Sequence, residues 1–156
     1  MCAGYVELMH IFALIILAAA LVGCSTLLPQ SGINVVKVLP HFLDESGNHT
    51  DGPTLLHRDV YQVKLRKNPD LVHAVRYDVN WWGTGEVKVR LELRSTKAGV
   101  ETMIIEKAET ASGRRTHWTP ILIDGATYKT FGQPESWRVS LWQGETQVGE
   151  QKSFLW

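Results

Sequence analysis

The chain has 156 residues and no formal net charge, because 16 lysines and arginines balance 16 aspartates and glutamates. The length fits one domain and is too short for two full enzyme domains. The charge balance disfavours a nucleic-acid-binding groove or a polybasic membrane patch. Hydrophobic residues make up 44% of the chain, which favours a packed core over disorder. Two cysteines are too few for a disulfide framework or a Cys₄ zinc site.

The first feature in chain order is an uncharged apolar run from Ile11 to Val22. A helix needs about 20 apolar residues to span a bilayer, whereas about 10–14 are typical of a signal peptide. The run ends in Leu21-Val22-Gly23-Cys24, which resembles the lipobox of bacterial lipoproteins. This resemblance implies cleavage after Gly23 and attachment of a diacylglyceryl group to the Cys24 thiol.

The lipobox predicts the organisation of the chain and its location. We expect a signal peptide over 1–23, a lipidated tether over 24–33 and one domain over 34–156. The acyl chains on Cys24 would anchor the protein in the bacterial cell envelope, and Ser25 favours an outer membrane, facing the periplasm. Because Met1–Glu7 has no Lys or Arg, unlike most signal peptides, an uncleaved anchor helix is the alternative.

The first strand of the domain is predicted over Asn34–Leu39, a β-branched run that Pro40 would end. Turn residues fill Asp44–Pro53. The next segment, Thr54–Lys67, fits two structures. Leu56, Val60 and Val63 have helical spacing, and we favour a helix. Tyr61, Val63 and Leu65 would alternate as in a strand, which is the alternative.

Two later segments have a strict period of two. Apolar and polar residues alternate along Val75–Trp82 and again along Val87–Arg94, which is typical of strands with one face on a core and the other in water. Polar residues of the second strand, such as Glu92, should therefore tolerate substitution. The intervening Gly83-Thr84-Gly85 predicts a hairpin that pairs the two strands.

The rest of the chain gives weaker strand signals and one more hairpin. Pro120 indicates that the strand carrying it lies at a sheet edge, and the large apolar residues of Ser153–Trp156 indicate that this end belongs to the folded domain. The predicted elements are strands at Val100–Lys107 and His117–Ile123, a helical turn within Asp124–Gln133, and a hairpin of Ser136–Trp142 with Gln147–Leu155.

Six or seven short strands separated by regular turns predict a mainly β fold. We expect an antiparallel β-sandwich of immunoglobulin-like type with a short helix. A small closed β-barrel is the alternative, since strand spacing alone does not separate the two. The Cys…Trp…Cys spacing of true immunoglobulin domains is absent.

Several short motifs of the mature part resemble a family of uncharacterised bacterial envelope proteins. They are Arg58–Gln62, Arg76–Val79 with Trp81, Leu91–Arg94, Trp137–Gly144 and Ser153–Trp156. The likeness covers most of the chain from Val36 onward. It supports the predicted fold and location and implies no particular activity or site.

The residues give little support for catalysis. His41, His49 and His57 are evenly spaced, so a metal-dependent hydrolase is a minor alternative. However, the chain has no HExxH, CxxC or GxSxG motif and no glycine-rich phosphate loop before a helix. We therefore expect a protein that is not an enzyme and that uses no metal or cofactor.

Tryptophan is the residue type that points to binding. The chain has six tryptophans, and aromatic side chains are common contacts for sugars and peptides. Trp82 and Trp142 lie on the polar side of their predicted strands, so they are the candidate ligand contacts. The prediction is a non-catalytic structural or binding module that docks an envelope protein or a glycan. A carbohydrate-binding module is its more specific form.

Overall fold

The computed structural model describes residues 32–112 and 115–156. Two α-helices, one 3₁₀ turn and seven strands make up this part of the chain. The strands are β1 (Asn34–Leu43), β2 (Ala74–Trp82), β3 (Gly85–Ser95), β4 (Met103–Ala111), β5 (Thr116–Ile123), β6 (Pro134–Gln143) and β7 (Thr146–Lys152). The helices are α1 (Leu55–Lys67) and α2 (Gly125–Phe131), and the 3₁₀ turn is Pro69–Leu71.

The strands form two antiparallel sheets, one ordered β1-β2-β5 and the other β4-β3-β6-β7. In the strand letters of immunoglobulin domains, these sheets correspond to A-B-E and C′-C-F-G, with the additional strand beside C. The predicted immunoglobulin-like sandwich is confirmed. The strands do not close into the small barrel that was the alternative.

The predicted hairpin between β2 and β3 is wrong, because the two strands belong to different sheets. Gly83-Thr84-Gly85 carries the chain across the sandwich. Gly83 and Gly85 have φ values of 155° and 88°, which residues other than glycine rarely adopt. Alternation identifies the buried side of each strand but not its hydrogen-bonded partner. Two strands that face each other across a core show the same pattern as two that pair.

The core lies between the sheets and consists of the residues that alternation placed on the inner faces. Fully buried positions include Val75, Val79 and Trp81 of β2 and the four apolar residues of β3 between Val87 and Leu93. The Trp81 indole N–H donates a 3.0 Å hydrogen bond to the Thr119 hydroxyl on β5, which satisfies the polar atom of this large side chain inside the core.

The outer face of the four-stranded sheet carries ion pairs. Glu92 is buried, and its carboxylate accepts hydrogen bonds of 2.6 and 2.8 Å from the guanidinium of Arg138 on β6. The expectation that Glu92 tolerates substitution assumed a solvated side chain, whereas the structure buries this carboxylate against Arg138. Its outward direction was predicted correctly, but the neighbouring side chain covers it.

Strand β1 extends beyond the predicted end at Pro40 to Leu43. Because β1 is an edge strand, a proline that lacks an N–H is tolerated there. On α1, the buried Gln62 side chain bonds the edge of β1: its oxygen accepts from the Phe42 N–H at 2.8 Å, and its nitrogen donates to the Phe42 carbonyl at 2.9 Å. One amide thus occupies both backbone groups where another strand would pair.

Helix α1 forms where helical spacing predicted it, but with the opposite face inward. Its buried residues are Gln62 and Leu65, whereas Leu56, Val60 and Val63 are 72%, 59% and 46% exposed. The three apolar residues that identified the helix therefore point to solvent. These three residues form the outward stripe of α1.

The remaining elements agree largely with prediction. The β6–β7 hairpin and the edge position of β5 are confirmed, α2 supplies the predicted helical turn, and β4 begins three residues later than expected. Within the last four residues, Trp156 stacks beneath Arg94 and Arg138, with ring-to-guanidinium distances of 4.2 and 4.9 Å. Phe154, in contrast, is fully exposed.

Candidate functional site

The two tryptophans selected from the sequence lie on opposite faces of the sandwich. Trp82 is at the end of β2, on the outer face of the three-stranded sheet, and Trp142 is on the outer face of the four-stranded sheet. Both are half-buried. The structure therefore does not bring them together into one binding surface.

Trp142 is held by its own neighbours. The guanidinium of Arg90 lies 4.7 Å from the centre of the ring, and the indole N–H donates a 2.8 Å hydrogen bond to Ser140. Arg90 is itself fixed by Glu106 at 2.6 Å, and this pairing lowers the pKa of the Glu106 carboxyl. A cation already covers one face of this indole, which weakens the case for Trp142 as an open stacking platform.

A shallow groove of about 460 Å³ runs beside Trp142, where β3, β4 and the β6–β7 turn meet. Lys88 and three carboxylates line it, those of Glu86, Glu109 and Glu145. Lys107 pairs with Glu109 at 3.3 Å. The groove is mixed in charge, and its polar residues are long, solvated side chains, so it resembles an ordinary polar surface more than a preformed ligand pocket.

Trp82 contacts the backbone at the start of the domain. A Cβ atom placed on Gly32 would lie 3.1 Å from the six-membered ring of Trp82, so the indole packs closely over this glycine. Its neighbour Trp81 points into the core, as expected for adjacent residues of a strand. Trp82 is thus a packing contact at the entry to β1.

An exposed tryptophan lies at a position that was not selected from the sequence. Trp118 on β5 is 53% exposed and lies on the outer face of the three-stranded sheet, beside the exposed Pro120 and Leu122. The signal was present: Thr119, Ile121 and Ile123 are the buried alternate positions of β5. Extending the alternation argument to this strand would have identified Trp118.

Polar groups lie next to Trp118 in the same sheet. Asn80 of β2 is its cross-strand partner and Lys37 of β1 follows on the other side, so the three side chains form one row. The buried Asn80 amide donates a 3.1 Å hydrogen bond to the carbonyl of His117. The row therefore joins an open indole, a fixed amide and an exposed ammonium group.

An ionic cluster lies further along the same face. Arg76 contacts both carboxylate oxygens of Asp78 at 2.9 Å, and the Nε2 atom of the buried His41 lies 3.5 Å from the same carboxylate. Burial lowers the pKa of His41; Asp78 opposes this shift, while His49 and Arg76 add to it. Burial therefore favours the neutral form of the His41 ring, which lies beside a paired carboxylate.

The three histidines of the hydrolase alternative do not converge. The rings of His41 and His49 are 4.9 Å apart, but the exposed His57 is on α1, where its Nδ1 atom lies 2.7 Å from the Thr54 hydroxyl. The Asp44 carboxylate accepts from Tyr61 at 2.7 Å. Across residues 32–112 and 115–156, no group of three or more His, Cys, Asp or Glu side chains is placed to hold a metal ion.

The predicted lipidation site, Cys24, lies outside the described residues, so its modification stays a prediction. Within the part of the chain that the structure describes, no helix has the length and apolar character needed to cross a bilayer. A scan against protein-family models and a search of curated proteins found no match to this chain.

Proposed function

We propose that the protein is a membrane-anchored lipoprotein of the bacterial envelope whose β-sandwich is a non-catalytic binding module. The anchor is argued from the sequence Leu21-Val22-Gly23-Cys24. The module is argued from one structural observation, the open indole of Trp118 on the outer face of the three-stranded sheet.

The row formed by Trp118, Asn80 and Lys37 is better suited to binding a glycan than to catalysing a reaction. The indole face of Trp118 provides apolar contact for a sugar ring, and the exposed Lys37 ammonium group can donate hydrogen bonds to its hydroxyls, while the buried Asn80 amide holds the backbone of His117 beneath the indole. Trp118 and Lys37 are exposed on this sheet face, so an extended ligand could reach both. An envelope protein is the other partner that such a surface would accept.

Ligand titration tests the binding module. We expect peptidoglycan fragments or neutral oligosaccharides to change the tryptophan fluorescence of the purified protein. Trp118→Ala should weaken binding about tenfold, the scale of losing one aromatic contact. Trp142→Ala is the matched control, because it removes an indole from the opposite sheet. Equal effects of the two substitutions, or no binding of any glycan, would reject glycan recognition at Trp118.

Intact-mass measurement of the membrane fraction tests the anchor separately. The proposal predicts a mature chain that begins at Cys24 and carries the mass of its acyl groups, since several chains at about 0.8 kcal/mol per buried CH₂ attach a protein firmly. Cys24→Ser should abolish both the cleavage and the added mass. A chain that still carries residues 1–23, unaffected by this substitution, would contradict the anchor.

A further inference from the structure

The outward stripe of α1, Leu56, Val60 and Val63, is an apolar surface that the fold itself does not use. Leu55, at the start of the helix, is also largely exposed. The stripe lies opposite Leu65 and the Gln62 amide that fixes the helix to β1. Because these hydrogen bonds set the rotation of the helix, the apolar side chains are held outward.

Cations accompany this apolar surface. Helix α1 carries four basic side chains, Arg58, Lys64, Arg66 and Lys67, and one acidic side chain, Asp59. Arg58 pairs with Asp59 at 2.8 Å, which leaves the excess of positive charge in the last turn. The zero net charge of the whole chain conceals this local concentration.

We propose that the outward stripe of α1 rests in the interfacial layer of an anionic phospholipid bilayer. An apolar face bordered by Lys and Arg is the arrangement by which a helix lies in a membrane surface, with its apolar side chains among the acyl chains and its cations at the headgroups. The stripe is narrow and convex, and its charge complements anionic lipid, so we favour a lipid surface over a second protein.

The proposed lipid anchor would bring α1 to this surface, so the biological setting of the contact rests on the proposed function. Because Ile33 is buried in the core and Gly32 packs against Trp82, only the residues before Gly32 are left as a tether, and from Cys24 onward they span at most about 3.6 Å per residue, or roughly 30 Å. A domain held so close to a bilayer meets it repeatedly. The helix would then fix the orientation of the domain and not merely its distance from the membrane.

A fluorescent label on the stripe tests the contact without relying on lipidation. The full chain with Cys2→Ser and Cys24→Ser receives an environment-sensitive dye at Val60→Cys, and it is mixed with vesicles of phosphatidylethanolamine and phosphatidylglycerol at about 3:1. We expect a blue shift and quenching by spin-labelled lipid. The same dye at Glu101→Cys, in the exposed loop before β4, should show neither.

Equal responses at positions 60 and 101, or no response at 60, would overturn the proposal. A blue shift at position 60 that grows with protein concentration in the absence of vesicles would also overturn it, because a second copy of the chain would then cover the stripe. The anchor can fail in the mass measurement while this contact persists, and the reverse also holds, so the two failures are distinguishable.

A charge reversal sharpens the test. Lys64→Glu with Lys67→Glu should reduce the fraction of α1 in contact with these vesicles, measured by the quenching at position 60, by more than tenfold at low salt, since each cation near an anionic surface contributes about fivefold. Lys129→Glu with Lys152→Glu makes the same net change at exposed positions on α2 and β7. Equal losses in the two variants would indicate general attraction of the chain and would reject a specific role for α1.

Discussion

Strand β3 and helix α1 were both identified from regularly spaced apolar residues, yet they use those residues in opposite ways. In β3 the alternate residues Val87, Val89 and Leu91 are buried between the sheets, whereas in α1 the Leu56, Val60 and Val63 stripe faces solvent. Periodicity therefore predicts the type of an element more securely than it predicts which side of that element packs.

The difference follows from what holds each element. Strand β3 has a hydrogen-bonded neighbour on both sides, so its rotation is fixed by the sheet and its apolar side must face the core. Helix α1 is fixed by the Gln62 amide and by the buried Leu65. Turning the helix to bury its stripe would leave the backbone of Phe42 unpaired, at about 1–3 kcal/mol for each lost partner.

A charge introduced into β3 and a charge introduced into the outward stripe of α1 should differ most in their effect on stability. Leu91→Asp should unfold the domain, because an unpaired carboxylate at a fully buried position costs more than about 4 kcal/mol. Val60→Asp should change the free energy of unfolding by less than about 0.5 kcal/mol. Thermal melts followed by circular dichroism give both values, and a large loss for Val60→Asp would show that the stripe is packed.

Removing the amide that fixes α1 should have the next largest effect. Gln62→Leu keeps the size of the side chain but leaves the Phe42 N–H and carbonyl without their partner, so we expect a loss of about 2–4 kcal/mol. Val63→Leu, on the exposed side of the same helix, is the control and should be neutral. Urea unfolding measures both variants, and similar midpoints would contradict the role assigned to Gln62.

The ion pair on the outer face of β3 should give a smaller loss. Glu92→Lys places a second cation against Arg138, which is partly exposed, so we expect a cost of about 1–2 kcal/mol, less than for a fully buried pair. A cycle with Arg138→Leu measures the coupling. If Glu92→Lys costs the same with and without Arg138, the two residues are independent and the sheet face is simply solvated.

The smallest expected effect is the contribution of His41 to the pH dependence of the free energy of unfolding. Because the folded protein holds the His41 pKa below its ordinary value of 6.5, the unfolded chain binds a proton at this residue that the folded chain does not. The free energy of unfolding should therefore be fully retained above about pH 6.5 and should fall as the pH drops toward the lowered pKa. His41→Gln should flatten this slope below about pH 6.5 in urea titrations. An unchanged slope would mean that other groups cause it.

The sequence was sufficient to predict the sandwich, because alternation depends only on which side of a strand is buried. It was insufficient for the partner of β2, since facing strands and paired strands share one pattern, and for the rotation of α1, which a single polar side chain decides. Trp118 was within reach through the alternation of Thr119 and Ile121 on β5. The cation above Trp142 was not, because Arg90 belongs to a strand more than 50 residues earlier in the chain.

The crossing at Gly83-Thr84-Gly85 also governs the order in which the fold can assemble. The second neighbour of β2 is β5, which follows β3 and β4 in the chain, so the three-stranded sheet cannot be completed until β5 has been synthesised. Strand β3 likewise gains its second neighbour only when β6 has been synthesised. Among the strands of the described residues, only β3–β4 and β6–β7 are sequential pairs that hairpin closure can form early. Pairings over such sequence distances are slow, typically milliseconds to seconds, so an incomplete chain would expose the inner face of β2 for longer than a hairpin-built domain would.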